Sequence, residues 1–352
     1  MERLFEIIEK LSLFFVFFPK KIVYEYMEQL LNTLIQMALD HHASDIHFVL
    51  SENQLKISLR TMQGMKPIYQ DLWTPAFFEY LKFHAHFDLT NPFIPQSGQF
   101  SYQNMFCRFS CIVNHSIQTG VLRILQTQMD LKIEELTQNK EVQKFFYYLT
   151  TIRQGLIISV GPTNSGKTTT LHAMLHEIAS QGRYKVVSLE DPIEIEDHSY
   201  LQLQINQSQG FTYEKGIEEL LRHDPDVICI GETRDAYTAK MVIRAALTGH
   251  LVFTTLHAKD SLESIQRLLD FGIDSFELKN TCTAIFSQRL YKSYFKDKRE
   301  CVYEILTGKE LDYVLQEGCY PQGHQRIFES IQNAIEKRYI SDKQAEIDIQ
   351  SF

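Results

Sequence analysis

The apolar run Leu156, Ile157, Ile158, Ser159 and Val160 leads without a break into Gly161-Pro162-Thr163-Asn164-Ser165-Gly166-Lys167-Thr168. This junction constrains the fold more than any other stretch, because a buried strand that turns through glycines into a helix start is the P-loop pattern of an α/β sheet. Chance yields that eight-residue pattern in a chain of this length on the order of once in a hundred, before the strand is required. Successive backbone N–H groups must curl around phosphate oxygens, and Gly161 and Gly166 supply the freedom to do so. Asn164 stands where glycine is common, and asparagine tolerates positive φ. Lys167 is expected to place a point charge on the β- and γ-phosphates of a polyphosphate ligand, and Thr168 to enter the Mg²⁺ shell. Pro162, Thr163, Ser165 and Thr169 complete the expected nucleotide-binding segment. The bland alternative is a strand–helix turn that happens to carry a lysine.

With 352 residues, 44% of them hydrophobic, the chain can build two or three domains with real cores. A net charge of -9 argues against a protein whose main surface grips nucleic acid. The six cysteines form no C-x-x-C pair, which points to thiols in a reducing compartment and to no zinc site. Near the N-terminus, residues 11–18 are apolar, but eight residues are too few to span a bilayer, and acidic residues precede them where a secretory signal carries basic ones. Two readings of residues 1–26 stay open, a dispensable extension and a weak membrane-surface anchor.

From Met27 to about residue 42 the spacing predicts an amphipathic helix, followed by strands at 45–50, 54–61, 98–103, 105–113 and 119–125 and a helix over 77–87. This reads as a small α+β domain over 27–130. The polar stretch 126–140 is the expected linker, with a helix at 142–149. Over 131–310 strands are expected at 156–160, 185–189, 201–205, 227–230 and 251–256, interleaved with helices. That alternation implies a mostly parallel sheet. Residues 311–352 read as a helical C-terminal subdomain. His41, His42 and His47 lack the companions of a metal site, and Asp45 is expected to pack or cap the end of the first helix.

Three more segments place polar groups at expected strand ends: VVSLEDPIEIE at 186–196, RHDPDVICIGETRD at 222–235 and TGHLVFTTLHA at 248–258. Ligands gather at the carboxyl ends of strands in such sheets. In this order the blocks resemble the Walker A, Asp box, Walker B and His box of the secretion and type IV pilus ATPase superfamily. ASDIHF at 43–48, LRTMQG around Arg60, and RFS and GVLRIL around Arg108 and Arg123 resemble its N-terminal domain. The resemblance covers about 27–305. It implies a RecA-like P-loop domain behind a PAS-like α+β domain, with ATP and Mg²⁺ as ligands. Glu232 is implied as the residue that orients or deprotonates the attacking water, with Lys167 on the phosphates. Glu190 and Glu232 are implied to reach the metal through water. His257, and with it His250, is implied to sense the γ-phosphate, and Arg60, Arg108 and Arg123 to offer charge to the nucleotide. Arg234 and Asp235 are expected to brace the site.

After the QRL element at 288–290 no four-cysteine module follows, and 310–352 lacks the segment that marks retraction motors. The chain is most similar to the competence branch, which powers assembly of a transformation pilus. That branch implies a homo-hexamer at the cytoplasmic face of the membrane, a polytopic membrane platform as partner, pilin-like subunits reached indirectly, and no direct nucleic-acid binding. A type II-like protein-secretion ATPase and a regulatory nucleotide-binding protein are the alternatives.

Overall fold

The structure, a computed structural model, describes residues 20–350 except 62–63, 70–71, 92, 104, 115–116, 127–131, 207–209, 296–297 and 342. The chain divides into two compact units, Met1–Thr127 and Gln128–Phe352. The boundary expected near residue 130 falls outside the described residues, as does the apolar run 11–18.

The first unit opens with helix α1 (Lys20–Asp40), followed by strands β1 (Asp45–Ser51), β2 (Gln54–Thr61) and β3 (Gly64–Ile68). Helix α2 (Pro75–His84) and strands β4 (Gln96–Tyr102), β5 (Met105–Asn114) and β6 (Ile117–Gln126) complete it. The six strands form one antiparallel sheet in the order β3-β2-β1-β6-β5-β4. One face is apolar: Phe48, Phe109 and Leu122 pack with Phe77 and Phe78 of α2 and with Met27, Leu31 and Leu34 of α1. Helix α1 starts earlier than the expected Met27. Val23 lies one turn ahead on the same stripe and is buried in this core, so residues 20–26 are part of the helix and not an appendage to it.

The second unit begins with helices α3 (Ile133–Leu136) and α4 (Lys140–Leu149), then β7 (Gly155–Val160), α5 (Lys167–Ser180), β8 (Val186–Glu190), β9 (Leu201–Gln204) and α6 (Tyr213–Arg222). It continues through β10 (Val227–Ile230), α7 (Ala236–Leu247), β11 (Leu251–Leu256), α8 (Ser261–Asp270) and α9 (Ser275–Thr281). Strands β12 (Cys282–Lys292) and β13 (Arg299–Thr307) and helices α10 (Gly308–Glu317), α11 (Ile327–Glu336) and α12 (Lys343–Gln350) close the chain. The sheet order is β13-β12-β7-β11-β10-β8-β9, parallel throughout except for β13 against β12. Every residue of β7 is buried, as a strand covered on both faces requires. Leu156, Ile158 and Val160 face the core shared with α6, α7 and α8, while Ile157 joins Leu171, Met174 and Leu175 of α5 and Phe146 of α4 on the other side. The mostly parallel α/β sheet expected from the sequence is present. Two strands of it, β12 and β13, were not expected. Beyond them, Leu311 and Val314 of α10 enter the core of the main sheet, and Ile327 and Ile331 of α11 pack with Tyr291 and Val302.

Candidate active site

Because β7, β11, β10 and β8 are parallel neighbours, the turns that follow them emerge along one edge of the sheet. The turn after β7 is the P-loop. Gly161 (φ 154°), Asn164 (φ 64°) and Gly166 (φ 88°) hold backbone conformations that side chains rarely adopt, which is the strain expected of a phosphate cradle. The loop is also tight: a Cβ on Gly161 would meet Ser165 Oγ at 2.5 Å and the Gln288 carbonyl oxygen at 2.7 Å. Ser165 Oγ is buried without a hydrogen-bond partner, while Pro162, Thr163 and Asn164 are exposed and Thr168 and Thr169 are half-buried at the start of α5.

Lys167 is buried, and its Nζ donates to the carbonyls of Gly161 (2.9 Å) and Pro162 (2.8 Å). Burial pulls its pKa down to about 8, an effect that Glu232 and Glu194 oppose and Arg289 reinforces. These charges identify the lysine's surroundings. The turn after β10 supplies Glu232, whose carboxylate accepts from Arg234 Nε at 2.8 Å and lies 3.5 Å from His257 Nε2, in the turn after β11. Arg234 also stands 3.8 Å from Asp191, and Asp235 caps α7 by accepting from Thr238 N at 2.8 Å, so both brace the turn. Thr255 Oγ1 donates to the Gly231 carbonyl at 2.7 Å and ties β11 to that turn. The His257 pKa is lowered by burial first and by nearby Lys167 next, against the opposing pull of Glu232. Lys167, Glu232 and His257 thus converge.

His250 does not join them. It precedes β11 at the opposite end of the strand, ~20 Å away at the usual rise, where Nδ1 lies 3.0 Å from both Thr248 Oγ1 and the Ala245 carbonyl. Glu190 ends β8 on a buried hydrogen-bond network. Its buried carboxylate accepts from Ser188 Oγ (2.6 Å) and Gln202 Nε2 (3.1 Å) and lies 3.3 Å from His172 Nε2, whose Nδ1 hydrogen-bonds Tyr200. Burial pushes the Glu190 pKa up, yet these partners outweigh it and hold the group ionised, below the usual range. The carboxylates that oppose the fall of the Lys167 pKa are Glu232 and Glu194.

In the first unit the strand register sets Arg60, Asp45, Arg123 and Arg108 side by side across β2, β1, β6 and β5. Arg123 Nε donates to buried Asp45 at 2.7 Å, and Arg108 Nε donates to Ser97 Oγ at 3.3 Å. Asp45 therefore serves as a cross-strand partner at the start of β1. Among the described residues no group of three His, Cys, Asp or Glu side chains converges as a metal site.

Sequence reasoning missed His172, Glu194 and the part played by Gln288 and Arg289. Gln288 is wholly buried, donates from Nε2 to the Ser165 carbonyl at 2.7 Å and accepts from Ser159 Oγ at 3.1 Å. The signal was available: Ser287, Gln288 and Arg289 interrupt an apolar strand, and polar groups in such a place need partners.

A family model described as Type II/IV secretion system protein matches residues 23–351. Competence protein ComGA of Bacillus subtilis is 33% identical over 313 residues, which span 83% of this chain and 88% of that one. Type II secretion system protein E of Pseudomonas aeruginosa is 32% identical over 288 residues, 78% of this chain but only 57% of that protein. Among solved structures, the pilus retraction motor PilT with bound ADP superposes with a TM-score of 0.73 at 25% identity, over 90% of this chain and 95% of that one. The Legionella pneumophila ATPase DotB gives a TM-score of 0.73 at 20% identity, over 92% and 96%, and so shares the fold. The matched family and the convergence of Lys167, Glu232 and His257 agree: this chain belongs to the Type II/IV secretion system protein family.

Proposed function

We propose that this protein is an ATP-hydrolysing motor that drives assembly of a type IV-like competence pilus and so supports DNA uptake. The carrying observation is the meeting of Lys167, Glu232 and His257 at the carboxyl edge of parallel strands. The residues fit a magnesium nucleotide: the glycine-bearing loop is wound for close approach, and Ser165 Oγ has no protein partner. Bound Mg²⁺ would offset charge on the transferring phosphoryl group. In this reading Lys167 and the loop N–H groups bind the polyphosphate, and the Thr168 hydroxyl would enter the metal's shell. Glu232 takes the proton of the attacking water, and neutral His257 beside it keeps that carboxylate oriented. Ser188 and Gln202 occupy Glu190 Oε1 and His172 lies on Oε2, so Oε2 keeps one acceptor site for a water of the metal's shell while these contacts fix the end of β8.

The competence assignment rests on coverage, since this chain spans most of ComGA but little more than half of the type II secretion proteins it matches. A homo-hexamer on the cytoplasmic face of the membrane, acting on a polytopic platform protein and through it on pilin-like subunits, follows from that assignment. Among the described residues no helix is long and apolar enough to cross a membrane. The test is Mg²⁺-dependent ATP hydrolysis against protein concentration, with transformation frequency in a naturally competent bacterium lacking its own motor. Rising specific activity that Lys167→Ala abolishes, together with restored transformation, supports the proposal. Restored protein secretion without transformation would move the assignment to a type II-like ATPase, and activity that survives Lys167→Ala would remove the motor reading. Tight DNA binding with a steep salt dependence would overturn the indirect role in uptake.

A further inference from the structure

The P-loop and the His257 turn leave neighbouring strands, β7 and β11, whose ladder ends at Val160 against Leu256, so beyond the Gly161 N–H to Leu256 carbonyl contact at 3.4 Å the two turns need other ties to hold their spacing. A pair of residues on β12 spans them. Ser287 pairs with Val160, the last residue of β7, so Gln288 and Arg289 continue alongside the P-loop. The Gln288 side chain grips the Ser165 carbonyl, while its own carbonyl lies against Gly161. That same carbonyl accepts from Arg289 Nη1 at 3.0 Å, and Arg289 Nη2 donates to the Lys259 carbonyl at 2.7 Å, two residues beyond His257. Arg267 also hydrogen-bonds the His257 carbonyl. A continuous run of hydrogen bonds thus passes from Ser165 through Gln288 and Arg289 to the turn that carries His257.

We infer that Gln288 and Arg289 are positioning residues for ATP turnover: Arg289 acts as a two-pronged bracket that sets the His257 turn at a fixed distance from the P-loop, and Gln288 supports the loop's floor. This rests on the ATPase reading. The planar guanidinium is suited to the task, since it can reach two carbonyls at once in a fixed fork, which an ammonium on a flexible stem reproduces poorly. The competing role for Arg289 is purely electrostatic, as a buried positive charge near Lys167. The two roles part company at Arg289→Lys, which keeps the charge and loses the fork.

The experiment compares wild type, Arg289→Lys and Gln288→Leu by three readouts: turnover at saturating MgATP, equilibrium binding of a fluorescent ATP analogue, and amide hydrogen exchange of the nucleotide-free protein. For Arg289→Lys we expect turnover to fall by about 10- to 100-fold, the cost of a ~1 Å misplacement. Analogue affinity should stay within about threefold, and amides at 258–262 should exchange faster. For Gln288→Leu we expect affinity reduced at least about tenfold because the Ser165 carbonyl loses its partner, with turnover at saturation also lowered but by less than in Arg289→Lys. Wild-type turnover in Arg289→Lys, or unchanged exchange at 258–262, overturns the bracket. If Arg289→Lys does not fold, Gln288→Leu decides, and unaltered affinity there overturns the inference. Absence of turnover in wild type would instead count against the ATPase reading itself.

Discussion

Glu232 and His257 come from turns on neighbouring parallel strands, yet Glu232 Oε1 and His257 Nε2 stand 3.5 Å apart, close enough for the ring to steer the carboxylate. Burial and the charge of Lys167 depress the imidazole pKa, so the ring is neutral at pH 7 and adds no second positive charge beside Glu232. Glu232→Gln should lower ATP turnover by about 10²- to 10⁴-fold while nucleotide binding persists. His257→Ala, which removes only the orienting contact, should cost about tenfold. Phosphate release under saturating MgATP checks both, and equal losses in the two variants would contradict this division of roles.

Nucleotide affinity should weaken above pH 8. The free protein holds Lys167 near a pKa of about 8, and a polyphosphate favours the charged ammonium, so binding takes up a proton once the free lysine is deprotonated. Between pH 7 and pH 9 the dissociation constant for MgADP should rise by about tenfold, measured by titration calorimetry in buffers of different ionisation enthalpy. A flat profile would place the lysine's pKa elsewhere.

A buried histidine makes the stability of the C-terminal segment depend on pH. Burial disfavours the charged form of His324, but Glu310, 2.8 Å from Nδ1, and Glu304, 3.9 Å from Nε2, raise its pKa above the ordinary 6.5. The folded state then holds more protons than the unfolded chain above pH 6.5, so this contribution is fully present below that pH and is lost as pH rises through the raised value. His324→Gln should cost about 1–3 kcal/mol at pH 6 and less at pH 8.5, read from thermal unfolding.

The arginines of the first unit should separate by readout. Arg123 is committed to buried Asp45, so Arg123→Ala should destabilise by about 1–3 kcal/mol. Arg108 is exposed and anchored at Nε by a serine hydroxyl, so Arg108→Ala should leave the melting temperature unchanged. If it serves the nucleotide, as the family resemblance implies, turnover should drop at least about tenfold. Thermal melts and turnover on the same preparations make the comparison.

The sequence was most legible where one physical demand dominated. Strands β10 and β11 occupy the expected residues because short, unbroken apolar runs bounded by polar turns fit little else. The P-loop was readable because its residue types follow from phosphate geometry. Strand β12 escaped notice because Ser287, Gln288 and Arg289 break its apolar pattern, and the contacts that account for Gln288 are with Ser159 and Ser165, more than a hundred positions away. His172 hid for the same reason: on the buried face of α5 it looks like filler until Glu190 and Tyr200 are brought to it. Strand β3, an edge strand with a proline and mostly exposed residues, had no apolar alternation to read.

Glu304 has a consequence for how the second unit comes apart. Its carboxylate accepts from Ser261 N at the start of α8, from Tyr320 Oη, and from Ile327 N at the start of α11. One side chain on an edge strand therefore joins three segments distant in sequence, and each would leave a buried polar group exposed to loss if it departed alone. The helices that follow β13 are tied into the cooperative unit of the main sheet. They should melt with it in a single transition, and deletion of the chain from Tyr320 onward should loosen the start of α8, the helix that begins just past His257.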